Sequence, residues 1–145
     1  MINISRILEI AEEAHKGQTR KMGKDKGLPY IIHPKRVADN FEDETLKSIA
    51  LLHDVIEDTK ITASDLLEKG VPQEVVSAVE CLSRKENENY LDFILRIKKN
   101  ELAVKVKITD IEDNIRDLEE GSRKDKYRLS LYILKKEDYY MCVVS

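Results

Sequence analysis

Apolar residues recur at three- and four-residue intervals along most of this chain, the spacing that places them on one face of a helix. Glycine and proline, only 5 and 3 in number, stand mostly between these stretches or at their starts. The pattern predicts helices at positions 4–16, 34–41, 46–58, 62–69, 72–82, 90–100, 102–118 and 124–138. A basic loop that contains glycines, residues 17–30, separates the first two of these helices.

One segment allows two interpretations. The apolar residues at positions 102, 104, 106 and 108 alternate as they would in a strand. No other segment offers a partner strand, and an unpaired strand is not stable, so we expect the start of a long helix here. The sequence therefore predicts a single all-α domain over residues 1–145, a bundle of about eight to ten helices.

Composition and charge narrow the class of protein. The net charge is −3 and the pI is near 5.7, which does not favour a nucleic-acid partner. No apolar run is long enough to cross a membrane, so we expect no membrane partner. Cys81 and Cys142 lack metal-site spacing, and we expect reduced thiols in a cytoplasmic protein. Residues 137–145 are apolar enough to dock on the domain or on a second copy, so a homodimer stays open.

The clearest chemical signal interrupts the predicted helix at positions 46–58. His53 and Asp54 follow an apolar stretch, and Glu57 and Asp58 stand one helical turn later. Burying an uncompensated carboxylate costs on the order of several kcal/mol. A divalent cation removes that cost, because it pairs with carboxylates and accepts a neutral imidazole. A solvated helix end with a chance His-Asp pair is the ordinary alternative for this segment alone.

Two further segments carry weaker signals. His33 precedes Pro34, whose ring restricts the backbone before it, so the imidazole can project inward from a fixed turn. Asp110 and Asn114 share a helix face, with Lys107 one turn before Asp110. Each segment alone also fits a core histidine or a solvated helix face.

Taken together, these segments predict a metal centre in the middle of the bundle. Two imidazoles and two aspartates form a mixed nitrogen and oxygen site. Such a site suits manganese, iron, cobalt or zinc better than calcium. A six-coordinate ion with four protein ligands would keep two positions, one for a phosphate oxygen and one for a water.

The residues that carry these signals form a longer pattern. Its parts, in chain order, are Ala14-His15-Lys16-Gly17-Gln18, Arg20-Lys21, Pro29-Tyr30-Ile31-Ile32-His33-Pro34, Ala50-Leu51-Leu52-His53-Asp54-Val55-Ile56-Glu57-Asp58-Thr59, and Asp110 with Asn114. This pattern closely resembles the hydrolase domain of the RelA/SpoT family, which includes small alarmone hydrolases and the metazoan SpoT homologue. The single-domain length leads us to expect no synthetase activity.

The resemblance implies an all-α HD domain and assigns a role to each position. The metal ligands that it implies, with manganese as the usual ion, are His33, His53, Asp54 and Asp110. It implies that Glu57 and Asp58 orient or activate the attacking water. The substrate-contacting positions that it implies are Arg20, Lys21, Lys107, Asn114 and Tyr132. His15 belongs to the pattern but not to the ligands, and we expect it to pack beneath the site.

The reaction implied by the resemblance is removal of the 3′-pyrophosphate from guanosine 3′,5′-bis(diphosphate). The family usually has a basic residue directly after the aspartate, where this chain has Ile111. The loop of residues 22–28 is also a few residues longer than is typical. Two alternatives therefore stay open. One is another nucleotide phosphohydrolase, acting on a mononucleotide or on NADPH, and the other is a binding module without turnover.

Overall fold

The computed structural model describes residues 2–136, and within that range the chain forms nine α-helices. They are α1 (Ile4–Ala14), α2 (Ile32–Ala38), α3 (Glu44–Leu52), α4 (Val55–Asp58), α5 (Ala63–Glu68), α6 (Gln73–Cys81), α7 (Tyr90–Ile97), α8 (Glu101–Asp117) and α9 (Ser122–Lys135). The one extended pairing in these residues is an isolated bridge between Thr19 and Pro29. The predicted all-α bundle is confirmed, and so is a helix in place of a strand at positions 102–108.

Helix α3 occupies the centre of the bundle. Its residues from Ser48 to Leu52 are all buried, and Ile49, Ala50 and Leu52 have no exposed surface. It packs against α1, α2, α6 and α8, so it has no solvent-facing stripe to keep polar. The candidate functional side chains that follow α3 are therefore anchored to a fully buried part of the core.

Short polar side chains fix where most helices begin. The N-cap residues Asn3, Asp43, Asn89 and Asn100 each accept a hydrogen bond from a backbone N–H in the first turn. Thr62 and Asp65 form a reciprocal capping box at α5. The Asn100 cap sets the start of α8 and with it the direction in which later side chains of that helix point around its axis.

The predicted helix at positions 46–58 is wrong in one respect, because the structure breaks it at His53 and Asp54. In a continuous helix the carbonyl of Ala50 would accept the Asp54 N–H. Here it accepts from Nδ1 of the His53 ring at 2.6 Å and from the His53 backbone N–H at 3.5 Å. Asp54 then caps α4 with φ −102° and ψ −2°. His53 and Glu57 thus lie on either side of the break, whereas Asp54 and Asp58 keep their one-turn spacing through the Asp58 N–H bond to the Asp54 carbonyl.

The last predicted helix is described only up to Lys135. The predicted docking tail at positions 137–145, with Cys142, lies outside the described residues. Among residues 2–136, no helix is both long enough and apolar enough to cross a membrane.

Candidate metal centre and nucleotide cleft

Three separate stretches of chain bring the four predicted ligands together. His33 is the second residue of α2, His53 and Asp54 stand at the break between α3 and α4, and Asp110 lies in the middle of α8. Helices α2 and α8 both pack against α3, which leads into the break, and they also pack against each other. The ligand set implied by the resemblance is therefore one cluster in space.

The ligand atoms of this cluster lie at short distances from one another. Nε2 of His33 is 2.7 Å from Oδ1 of Asp110, and Nε2 of His53 is 3.3 Å from the same oxygen. Nε2 of His53 is also 2.9 Å from Oδ2 of Asp54. His33, His53 and Asp54 offer ligand atoms that all lie within 4.8 Å of one another. All four side chains are largely or fully buried.

The hydrogen bonds around the two imidazoles fit a bound cation. Each ring uses Nδ1 outside the cluster, His53 on the carbonyl of Ala50 and His33 on Asp113. Each ring therefore presents Nε2 to the cluster, which is the arrangement typical of metal-binding histidines. Nε2 of His53 is buried and has no hydrogen-bond partner, although two carboxylate oxygens lie nearby. A lone pair that faces carboxylates is repulsive until a positive charge comes between them, so these residues fit a divalent cation.

The pKa shifts of the cluster residues also fit a site for a cation. Burial alone would lower the pKa of His53, but the negative charges of Asp54 and Asp110 raise it well above its ordinary value. Burial alone would raise the pKa of Asp110, but Lys107 and His53 bring it far below its ordinary value. The site thus favours positive charge on its nitrogens and negative charge on its oxygens, and the same field attracts a metal ion.

A tyrosine that the sequence pattern contains, but to which we assigned no role, holds one of the ligands. The Tyr30 hydroxyl donates a hydrogen bond to Oδ2 of Asp54. His15 packs against the Tyr30 ring with ring centroids 4.8 Å apart, and it is 2% exposed. The expectation that His15 packs beneath the site is therefore confirmed. Burial and the charge of Asp54 raise the pKa of Tyr30, which keeps it a proton donor.

The acidic pair stands at the edge of the cluster on α4. Glu57 accepts the backbone N–H of Arg84 at 2.6 Å, and the backbone carbonyl of Asp58 accepts Nε2 of Gln18 at 3.0 Å. Carboxylate oxygens of Asp54, Glu57 and Asp58 lie within 4.8 Å of one another. Partial burial and the charge of Asp54 raise the pKa of both groups, that of Asp58 to about 7.

A cavity of about 260 Å³ opens onto the cluster. Nearly all the predicted site residues line it, namely Arg20, Lys21, His33, Asp54, Glu57, Asp58, Lys107, Asp110 and Asn114. A second cavity, of about 940 Å³, shares Asp58 with the first but contains none of the four predicted ligands. The smaller cavity is therefore the candidate substrate cleft.

Basic and amide side chains in the wall of this cleft form hydrogen bonds with Asp110 or with one another. Nζ of Lys107 donates to Oδ2 of Asp110 at 2.9 Å, and Nδ2 of Asn114 lies 3.2 Å from Oδ1. Nη2 of Arg20 donates to Asn114 at 2.9 Å, and its guanidinium lies over the Tyr30 ring. Burial alone would lower the pKa of Lys107, but Asp110 raises it, so the lysine stays charged.

Tyr132 stands apart from the other predicted site residues. It is 61% exposed on α9 and does not line the cleft. Tyr127 and Arg123, from the same helix, do line it. These two residues were not predicted as site residues, although the helical spacing on α9 indicates them, since Tyr127 lies on the inward face and Tyr132 does not. A nucleotide contact by Tyr132 stays a prediction without support from this geometry.

Comparison of the sequence with known proteins finds several relatives. The chain is 36% identical over 136 positions to the guanosine-3′,5′-bis(diphosphate) 3′-pyrophosphohydrolase of Vibrio cholerae, covering 82% of this chain and 18% of that protein. It has the same identity and coverage with the bifunctional (p)ppGpp synthase/hydrolase SpoT of Escherichia coli K12. No protein-family model matches the sequence.

A solved structure extends the comparison to the fold. The structure described as a metazoan orthologue of SpoT that hydrolyses ppGpp superposes with a TM-score of 0.72 and 23% identity, covering 90% of this chain and 82% of that one. The fold is thus an HD-domain helical bundle. The chain is a homologue of the RelA/SpoT-type pyrophosphohydrolases, and it spans about one fifth of the length of the bacterial relatives that it matches.

Proposed function

We propose that this chain hydrolyses guanosine 3′,5′-bis(diphosphate) at its 3′-pyrophosphate, using one water and releasing GDP and pyrophosphate. The observation that carries this proposal is the convergence of His33, His53, Asp54 and Asp110 in a cleft that also holds an acidic pair and basic side chains. The choice of substrate follows the bacterial relatives, which are named as ppGpp pyrophosphohydrolases, and the metazoan SpoT orthologue, which is described as hydrolysing ppGpp.

Four side chains would hold the divalent cation, and we propose manganese as the ion. A bound divalent ion supplies Lewis acidity toward a phosphate oxygen and lowers the pKa of a coordinated water. His33 and His53 contribute Nε2, while Asp54 and Asp110 contribute carboxylate oxygens and the negative charge. The mixed nitrogen and oxygen set also admits iron, cobalt or zinc.

Glu57 and Asp58 are proposed to hold and deprotonate the attacking water. Both carboxylates line the cleft beside Asp54 and reach solvent, so a water can approach them. Partial burial and the charge of Asp54 raise the pKa of Asp58 to about 7, so this carboxylate binds a proton more readily than an exposed one, as a general base must. A cation held by the neighbouring ligands would lower this pKa, so the base would be ionised at neutral pH.

Basic side chains around the cleft are proposed to bind the phosphates and the base of the nucleotide. Lys107 stays charged beside Asp110, and its Nζ is positioned at the cleft wall. Arg20 and Lys21 lie on the loop before α2 and line the same cavity. Positive groups fixed at the site of developing charge stabilise the transition state of phosphoryl transfer.

The proposal is tested by measuring pyrophosphate and GDP released from ppGpp by metal-stripped protein, with and without added manganese. We expect release only with the ion. Asp110→Asn should abolish both manganese binding and release, whereas Asp39→Asn, the same change on the exposed end of α2, should retain both.

Other results would change the substrate, the activity or the ligand roles that we propose. Tight manganese binding without pyrophosphate release would reject ppGpp as the substrate, and mononucleotides and NADPH would be assayed next. Nucleotide binding without turnover of any of these would leave a binding module. Release that does not depend on any divalent ion would contradict the role given to the four ligands.

A further inference from the structure

Asp113 on α8 contacts a predicted ligand from outside the cluster. Its Oδ2 lies 2.7 Å from Nδ1 of His33, whose Nε2 is 2.7 Å from Asp110. His33 is 1% exposed, so water offers its Nδ1 no substitute partner. The spacing makes this contact possible, because Asp110 and Asp113 are one turn apart on α8 and face α2 together.

Arg36 fixes the orientation of the Asp113 carboxylate. Its Nε donates to Oδ1 at 2.9 Å and its Nη2 to Oδ2 at 3.0 Å, a two-pronged contact. Arg36 lies one turn after His33 on α2, so two residues of one helix hold the same carboxylate. Nη2 of Arg36 also contacts Asp25 at 2.5 Å, which ties the carboxylate to the loop before α2.

These contacts offer the proton of His33 a carboxylate on each side of the ring. A neutral imidazole has one N–H and one lone pair. If the proton sat on Nε2, it would bond to Asp110 at 2.7 Å and remove the lone pair from the cluster. Asp113 offers an acceptor at the same distance on the other side of the ring, and a cation bound to Asp110 would leave Asp113 as the partner that takes the proton, on Nδ1.

We propose that Asp113, held by Arg36, is a positioning residue that keeps the proton of His33 on Nδ1 and so keeps Nε2 free to bind a divalent cation. This inference rests on the proposed metal centre but not on the identity of the nucleotide. Partners of metal-binding histidines commonly contribute about 10–100-fold to metal affinity. Asp113 does not line the cleft, so its effect runs through His33.

The test measures manganese and zinc affinity of purified protein by competition with a chelator of known affinity. Asp113→Ala should weaken binding by about 10–100-fold. Asp113→Asn should weaken it less, because an amide oxygen can still accept the Nδ1 proton. Glu112→Gln is the matched control, a carboxylate one residue away that is 55% exposed, and it should bind like the wild type.

A second measurement separates positioning from general support of the fold. Nitrogen-15 NMR of the histidine rings in the zinc-loaded protein should show His33 with its proton on Nδ1 and zinc on Nε2. In Asp113→Ala we expect loss of that single state, with the circular dichroism of the helices unchanged. Arg36→Gln should weaken metal binding in the same direction.

Two results would be decisive against the inference. An affinity of Asp113→Ala within twofold of wild type would overturn it, and so would an unchanged His33 ring signal in that variant. If Asp113→Ala fails to fold, Asp113→Leu, which is similar in size but offers no acceptor, replaces it in both measurements. Weakened metal binding in a protein that leaves ppGpp intact would support the role of Asp113 while rejecting the proposed substrate.

Discussion

At the scale of single residues, Glu57 combines access to solvent with a fixed position. The backbone N–H of Arg84 holds one of its oxygens at 2.6 Å, which leaves the other free to face the cleft. Partial burial and the charge of Asp54 raise its pKa. A carboxylate in this setting can take a proton from water without moving.

Replacing Glu57 by glutamine tests that role. The amide oxygen of Glu57→Gln can still accept the Arg84 N–H, so the fold and the metal affinity should be retained. We expect kcat for ppGpp hydrolysis to fall about 10²–10⁴-fold, the usual contribution of a general base. Turnover is measured at saturating manganese, with affinity measured on the same preparation.

The control for this variant is Glu86→Gln, which makes the same change in the exposed segment that follows Arg84. Its turnover should match the wild type. Full activity in Glu57→Gln with manganese still bound would remove Glu57 from the mechanism and leave Asp58 as the base.

Site residues that stand out from their sequence neighbours could be predicted from the sequence. Residues whose role depends on a contact with a distant part of the chain could not. His53 and Asp54 stand out because ionisable groups interrupt an apolar run. Tyr30 and Asp113 each hold a ligand, yet their partners lie 24 and 80 positions away along the chain. Only the packing of α2 and α8 around the break after α3 brings those pairs together.

At the scale of elements, the segment between α6 and α7 is held by one arginine. Arg96 donates Nε and Nη2 to the carboxylate of Glu88, each at 2.9 Å, and also reaches the carbonyls of Cys81 and Ser83. This anchor steadies the backbone of Arg84, which in turn holds Glu57. The pairing lowers the pKa of Glu88 from 4.5 to about 2.

The pKa of Glu88 predicts how stability depends on pH. Because the folded state binds this proton less tightly than the unfolded state, the carboxylate stabilises the fold above pH 4.5 and loses that contribution as pH falls toward 2. Glu88→Gln should therefore lower the midpoint of urea unfolding at neutral pH. The gap between the two proteins should narrow through the acid range, and a gap that stays constant with pH would contradict this account.

At the scale of the whole molecule, the periodicity of apolar residues predicted the helical bundle but not the break between α3 and α4. Helices form wherever the apolar stripe can face the core, and that stripe is visible in the sequence. The break after α3 depends on the His53 ring taking the carbonyl of Ala50, a local competition that periodicity does not record. The predicted helix at positions 46–58 was therefore too long.

The metal centre joins three distant parts of the bundle, so a bound ion should stabilise the whole domain. Free ligand at about 100 times its Kd contributes about 2.7 kcal/mol. For a domain of this size that corresponds to a rise in Tm of about 5–10 °C. Calorimetry with and without manganese measures the shift, EDTA should reverse it, and Asp110→Asn should not show it. An equal rise in that variant would indicate binding elsewhere.

The four predicted metal ligands are distributed unequally along the chain. Three of them precede residue 55, and Asp110 follows more than 50 positions later. A cut in the exposed stretch at positions 84–87 would leave three ligands on one fragment and a single carboxylate with its lysine on the other. Full affinity for the ion would then require both fragments to reassemble. The two fragments could therefore serve as a split reporter, in which metal binding shows that the fragments have reassembled.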